Sequence, residues 1–234
     1  MKIIYRTSSS GYSKIKPDYV SNKHCLDNFI TNFNKPDLII ADNITDEYYK
    51  ELLNYDIQID RTNLGSGAQS FQYMLENYII NNKISKDNDE IVYMVENDYL
   101  HKPDSKLILE ECFEELNPEY VTLYDHPDKY INSDKGGNPY VESGGEITRV
   151  VLSKSSHWKY TNSTTMTFAS RIRTLKEDYS FIYTFIKGTY PDDFKMFIAL
   201  REQKERVLLS PIPGLSTHGE TKYLTPLVDW SKCE

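Results

Sequence analysis

The chain of 234 residues is short of several things, and each shortage excludes something. It has only three cysteines, Cys25, Cys112 and Cys233, widely separated and with no CxxC pair. Neither a disulfide framework nor a zinc knuckle is therefore expected, and a reducing compartment fits such sparse cysteine. No apolar run approaches the roughly 18 residues that a membrane span requires. The apolar segment at the amino terminus, residues 2–5, is too short for a signal-peptide core and reads as a first strand. Positive charge is in deficit: Lys and Arg total 27 against 35 Asp and Glu, a net charge of −8. A general binder of nucleic-acid backbones is not expected from that balance. Missing too are GxxxxGKS/T, GxSxG and HExxH, so P-loop, nucleophile-elbow and zincin chemistries fall away. What is present is 39% apolar and 13% aromatic content, with 19 Tyr against 9 Phe and 2 Trp. That is the composition of a globular chain rather than a disordered one. At about 150 residues per domain the length allows one large domain or two small ones. No linker, repeat or low-complexity tract divides it, so one soluble, cytoplasmic domain spanning 1–234 is expected.

Periodicity alternates along the first hundred residues. Strand-like runs stand at 2–5, 37–41, 57–60 and 91–95. Between them, Leu26, Phe29, Ile30 and Phe33 share one helical face, and Thr45 is placed to cap a helix over 45–54. Ser66 and Gln69 are spaced as a capping box ahead of Phe71, Met74, Leu75, Tyr78 and Ile79. Strands alternating with helices predict an α/β fold with a mostly parallel sheet covered on both faces. Further on, a helix is expected at 105–116, a strand at 120–124 and strand-like runs at 148–152 and 157–169. Thr174 and Glu177 open another helix, and Pro191 begins a last one to about 206, ahead of a loop-rich tail. The stretch 125–147, rich in Gly, Pro, Asp and Asn, reads as one long loop, and loops of that length are usually functional.

Chemistry concentrates in four places. The apolar run 91–95 ends directly in Glu96-Asn97-Asp98, two carboxylates where an open α/β sheet forms its ligand crevice. Oxygen donors there suit Mg²⁺ or Mn²⁺, although a polar turn after a strand also explains them. His218, beside Gly219, sits in the tail, where an imidazole would favour Mn²⁺ over Mg²⁺; an ordinary surface His is the plain alternative. Asp192 and Asp193 follow Pro191 as acids do at a helix start, and either is also placed to serve as a general base. Asn63, Gly65 and Gln69 belong to a Gly-rich helix start able to meet a phosphate or a sugar. Ser70 stands where a Rossmann fingerprint would need its third glycine.

In this order and spacing the segments resemble the GT-A class of nucleotide-sugar-dependent glycosyltransferases, in a compact form reminiscent of large viruses or low-GC bacteria. The resemblance implies a Rossmann-like nucleotide-binding half over residues 1–98 and an acceptor-binding half over 99–234. Glu96-Asn97-Asp98 is similar to the DxD-type motif of the class, with Glu in place of the first Asp. It implies that Asp98 holds the metal against the donor diphosphate and that Glu96 acts through the ribose or a water. Arg6, Thr7 and Ser8 match the start of the nucleotide-base pocket, and Asp42 and Asn43 the acidic position that meets base or ribose. Arg61 and the segment from Asn63 through Gly65 to Gln69 match the part that runs beneath nucleotide and sugar. Asp192 and Asp193 resemble the pair from which inverting members draw their base, with Asp193 preferred. His218 resembles the carboxyl-terminal His that completes a metal shell.

The implied reaction moves a sugar from a nucleotide-diphosphate donor, UDP-linked by expectation, to a glycan or other hydroxyl acceptor. It would use a divalent metal, Mn²⁺ over Mg²⁺. The long loop, with Tyr130 and Tyr140, would close over the acceptor, and Trp158 would stack on a sugar or pack in the core. Two rival readings stand beside this one: a sugar-1-phosphate nucleotidyltransferase, and a non-catalytic carbohydrate-binding domain.

Overall fold

The computed structural model describes residues 1–9, 14–135 and 137–233. The alternation appears as expected through the first half: β1 (Lys2–Ser8), α1 (Asn22–Phe33), β2 (Leu38–Asp42), α2 (Asp46–Leu53), β3 (Ile59–Thr62), α3 (Gly67–Met74) and β4 (Ile91–Glu96). A π-helical stretch, Leu75–Ile80, continues α3. Each helix starts where a hydroxyl satisfies an otherwise orphaned amide. Ser21 accepts from the His24 amide, Thr45 from the Tyr48 amide and Ser66 from the Gln69 amide, so the Ser66–Gln69 capping pair is borne out.

The second half adds β5 (Tyr99–His101), α4 (Ser105–Glu115), β6 (Tyr120–Val121), β7 (Val141–Glu142), β8 (Gly145–Glu146), β9 (Val150–Leu152), β10 (His157–Thr161) and β11 (Phe168–Arg171). It closes with α5 (Ile172–Ile182), α6 (Asp193–Lys204), β12 (Leu208–Ile212) and β13 (Ser216–His218). Nine strands form one mixed sheet in the order β3-β2-β1-β4-β11-β6-β12-β10-β9. Strands β1 to β4 are mutually parallel, which is the α/β arrangement anticipated. Their register brings Ser8 beside Asp42, Asp42 beside Thr62 and Arg6 beside Glu96, so one edge collects the carboxyl ends.

Side chains alternate across the strands, and each face has its own core. Ile3, Tyr5, Tyr93 and Val95 pack with Phe29 and Phe33 of α1 and with Leu109 and Phe113 of α4. Ile4, Val92 and Met94 point the other way, to Phe71 and Met74 of α3, Leu175 of α5 and Phe197 and Leu200 of α6. Among the described residues, no helix is long and apolar enough to cross a membrane.

Several expectations are corrected. The strand-like run 157–169 is two strands that lie apart in the sheet. β10 pairs with β12 and β9, whereas β11 pairs with β4 and β6. The link between them includes the buried hydroxyl residues Ser163, Thr164 and Thr167, and the Thr164 hydroxyl donates to that of Thr122 at 2.8 Å. The 125–147 stretch, expected as one loop, carries β7 and β8 and makes side-chain contacts to the rest of the chain on either side of residue 136. Tyr140 donates to Glu202 at 2.7 Å, and the buried Lys129 ammonium donates to Ser210 at 3.1 Å. Trp158 is a core residue: it is fully buried, and its indole donates to Ser153 at 3.0 Å. The loop-rich tail contains two strands, β12 and β13.

Candidate active site

One small feature organises the site. β5, just after the Glu96-Asn97-Asp98 turn, pairs antiparallel with β13, with Tyr99 opposite His218 and His101 opposite Ser216. The Gly219 amide extends that ladder by donating to the Asp98 carbonyl at 2.6 Å. Asp98 and His218 are therefore brought face to face, with His218 Nε2 3.3 Å from Asp98 Oδ2. His218 therefore does not lie in an irregular tail. It is a buried strand residue, and a Cβ on Gly219 would lie 2.5 Å from Val20 Cγ1 and 2.8 Å from the Asp98 carbonyl oxygen. The glycine is there because two backbones meet.

Asp98 also faces two ammonium groups, Lys14 Nζ at 2.8 Å and Lys16 Nζ at 3.5 Å. Burial works to raise the Asp98 carboxyl. The imidazole of His218 and the two ammonium groups outweigh it and hold the group well below the usual carboxylate range. Glu96 points to the α3 side of the sheet, where Arg6 Nη2 meets it at 3.2 Å. Buried Arg6 spans the crevice floor, donating to the Gly67 and Met166 carbonyls at 3.4 Å and lying 5.0 Å over the Phe71 ring. Asn97 is a brace: its amide donates to the Ser8 carbonyl at 3.1 Å and to Asn22 at 2.8 Å. Thr7 is buried and bonded to the Tyr48 hydroxyl at 2.9 Å.

On the neighbouring strands, Asp42 accepts from the Leu64 amide at 2.6 Å and the Thr62 hydroxyl at 3.0 Å. Its carboxylate thus shapes the loop leading to Gly65, whose φ of +96° suits a residue without a Cβ. Asn43 donates to Asp42 at 3.0 Å. Asn63 and Gln69 are exposed along the same loop. Arg61 is directed elsewhere: it binds Asp46 at 2.7 Å and the Ile44 carbonyl at 3.2 Å, and lies 4.8 Å over Tyr49. Its contacts fasten the start of α2.

The last helix completes the crevice. The Ala68 amide of α3 meets the Thr189 carbonyl at 3.5 Å, setting the approach to α6 against the Gly-rich loop. Pro191 is not the first helical residue. Asp192 caps α6 by accepting from the Lys195 amide at 3.3 Å, and Asp193 is its first turn. The two acids are thereby separated in role. Asp192 is tied to its own helix and to Lys195 Nζ at 2.7 Å. Asp193 is half-buried, and desolvation lifts its carboxyl to about 7, partly offset by the Phe194 amide; Glu96 and Asp192 add repulsion and His218 attraction.

This backbone arrangement is also found in S. aureus TarS. TarS 1–349 superposes with a TM-score of 0.54 and 14% identity over 90% of this chain and 58% of its own. The fold is GT-A. The same protein in complex with UDP-GlcNAc gives a TM-score of 0.52, again at 14% identity, over 90% of this chain and 56% of its own. The chain spans little more than half the length of these relatives. No protein-family model and no curated protein matches it by sequence.

In a GT-A fold, a metal is expected where Asp98 and His218 converge. The residues present do not fit a resident divalent cation. Among the described residues, no group of three His, Cys, Asp or Glu gathers to hold one. The place between Asp98 and His218 is instead taken by the Lys14 ammonium, 3.0 Å from His218 Nε2. Nε2, the ring atom that would meet a metal, is thus shared between that ammonium and Asp98 Oδ2. Lys14 and Lys16 were not singled out from the sequence. The available signal was their two-residue spacing after β1, which turns both side chains the same way in an extended stretch.

Proposed function

We propose that this chain transfers a sugar from a nucleotide-diphosphate donor, UDP-linked by first expectation, to a hydroxyl acceptor, with Asp193 as general base and inversion at the anomeric carbon. The observation that carries the reading is Asp193 itself. A carboxyl from the acceptor half, raised to about 7, stands within electrostatic reach of Glu96 and His218 from the donor crevice. A base is most effective when its pKa lies near the working pH.

The donor lies over the carboxyl ends of β1, β2 and β4, with its nucleoside toward Thr7, Asp42 and Asn43 and its sugar toward the Gly65–Gln69 loop and α6. Lys14, Lys16 and His218 face the diphosphate. The acceptor oxygen attacks the anomeric carbon as its proton passes to Asp193, and the bond from that carbon to the phosphate oxygen breaks. The departing diphosphate takes the bonding electrons, and fixed positive charge beside it lowers the barrier.

The test is to incubate the protein with a panel of nucleotide sugars and candidate acceptors, and to follow nucleoside diphosphate release chromatographically. Release that depends on acceptor and collapses in Asp193→Asn is the expected result. Tight donor binding without turnover would point to a carbohydrate-binding domain. Pyrophosphate release from a nucleoside triphosphate and a sugar phosphate would point to a nucleotidyltransferase.

A further inference from the structure

We infer that the Lys14 ammonium, backed by Lys16, is this chain's own cation for a nucleoside diphosphate, so that donor binding proceeds without a divalent metal. The inference rests on the donor site proposed above.

Lys14 Nζ donates to Asp98 Oδ2 at 2.8 Å and lies 3.0 Å from His218 Nε2. Those are the two atoms that a metal held by Asp98 and His218 would need, approached from the same side. Charge makes the same point. Two ammonium groups around one carboxylate leave a surplus of one positive charge, the same surplus that a divalent cation on that carboxylate would leave. Glu96, the other acid of the turn, does not cancel it, because Arg6 already neutralises Glu96.

The pair is also built to stay in place and to reach a ligand. Asp98 and His218 are buried, held by the β5–β13 ladder and by the close approach at Gly219. Lys14 and Lys16 remain 19% and 29% exposed, so their ammonium groups reach the crevice. A lysine ammonium is a compact point charge with three donors. Such a charge attracts a phosphate oxygen whichever of its donors is engaged, and Lys16 adds a second beside it. A metal would have to displace Lys14 and compete with its charge.

The experiment is calorimetric titration with ADP, CDP, GDP, UDP and inorganic pyrophosphate, in EDTA and again in Mn²⁺. Wild type, Lys14→Ala and Lys14→Met are compared, each checked by thermal unfolding. The expected result is that wild type binds one nucleoside diphosphate equally well in EDTA and in Mn²⁺. Both variants then bind it on the order of 10- to 100-fold more weakly in EDTA, as for a lost hydrogen bond to a charged group. Mn²⁺ restores part of that loss by entering the vacated place between Asp98 and His218. Wild-type binding that requires Mn²⁺, or binding in EDTA that neither variant weakens, overturns the assignment of Lys14 and leaves the transferase reading standing. Failure of every nucleotide and of pyrophosphate to bind under both conditions overturns both. The wild-type comparison needs no variant to fold.

Discussion

Replacing Asp193 by Asn separates the chemistry of the crevice from its stability. Burial lifts the Asp193 carboxyl from 3.8 in the unfolded chain to about 7 in the folded one. The folded state therefore binds more protons between those values, and stability falls as pH rises through that window. At about 1.4 kcal/mol per unit, the effect reaches about 4 kcal/mol above pH 7, reduced to the extent that water reaches the side chain. Asn reproduces the neutral acid and keeps an oxygen for the Phe194 amide, which donates to Asp193 at 2.7 Å. The variant should thus be more stable than wild type, by about 2 kcal/mol near pH 5.5 and about 4 kcal/mol near pH 8.

Urea denaturation of both proteins across that range measures the difference. The slope with pH is the diagnostic quantity, because a repacking effect would shift all values alike. Turnover moves in the opposite sense. Loss of a positioned base lowers the rate by about 10²- to 10⁴-fold, and the wild-type rate itself rises with pH to half its plateau near 7. A stability difference that does not change with pH would mean that Asp193 is ionised throughout and has an ordinary carboxylate pKa. An Asn variant with undiminished turnover would remove Asp193 from the reaction.

Two further substitutions probe the scaffold. In Gly219→Ala the new Cβ would sit 2.5 Å from Val20 Cγ1 and 2.8 Å from the Asp98 carbonyl oxygen, so β13 must move away from β5. A loss of about 1–3 kcal/mol on unfolding is expected for such overpacking, together with at least a roughly tenfold weaker nucleotide affinity; an unchanged stability and affinity would contradict the tight approach. In Arg206→Ala the fully buried Asp178 loses a two-pronged partner at 2.8 and 2.9 Å, keeping Tyr120 at 2.8 Å and Lys204 at 3.3 Å. Leaving a buried carboxylate short of a partner should cost about 3 kcal/mol in urea denaturation, and a loss below about 1 kcal/mol would show that the remaining partners suffice.

What could be read from the sequence follows from the range of the interactions. β1 to β4 were legible because each is a short apolar run set off by a capped, periodic helix, and both signals are local. Asp98 and Asp193 were legible for the same reason, one ending a strand and one beginning a helix. β5 and β13 were not, since each has three residues and exists only through the other, far along the chain. Thr161, Thr164, Thr165 and Thr167 made 157–169 look like a single strand because β-branched residues favour strands. In the fold most of these hydroxyls serve hydrogen bonds instead: Thr161 donates to Glu146 at 2.8 Å, and the Glu96 amide donates to Thr167 at 3.0 Å.

The same limit explains why Asp98 and His218 could be named from sequence while the occupant of the space between them could not. Local spacing identifies donors, yet what lies among them depends on the whole chain. Here the approach is made by Lys14 and Lys16, which meet Asp98 of the β4–β5 turn beside His218 of β13. A carboxylate and an imidazole accept an ammonium through the same lone pairs they offer a metal, so motif spacing alone does not distinguish the two. The distinction lies in the surrounding charge. With Glu96 neutralised by Arg6 and Asp98 faced by two lysines, the Asp98 corner of the crevice carries a local surplus of one positive charge. A divalent cation entering that corner would have to displace the Lys14 ammonium from Asp98 first.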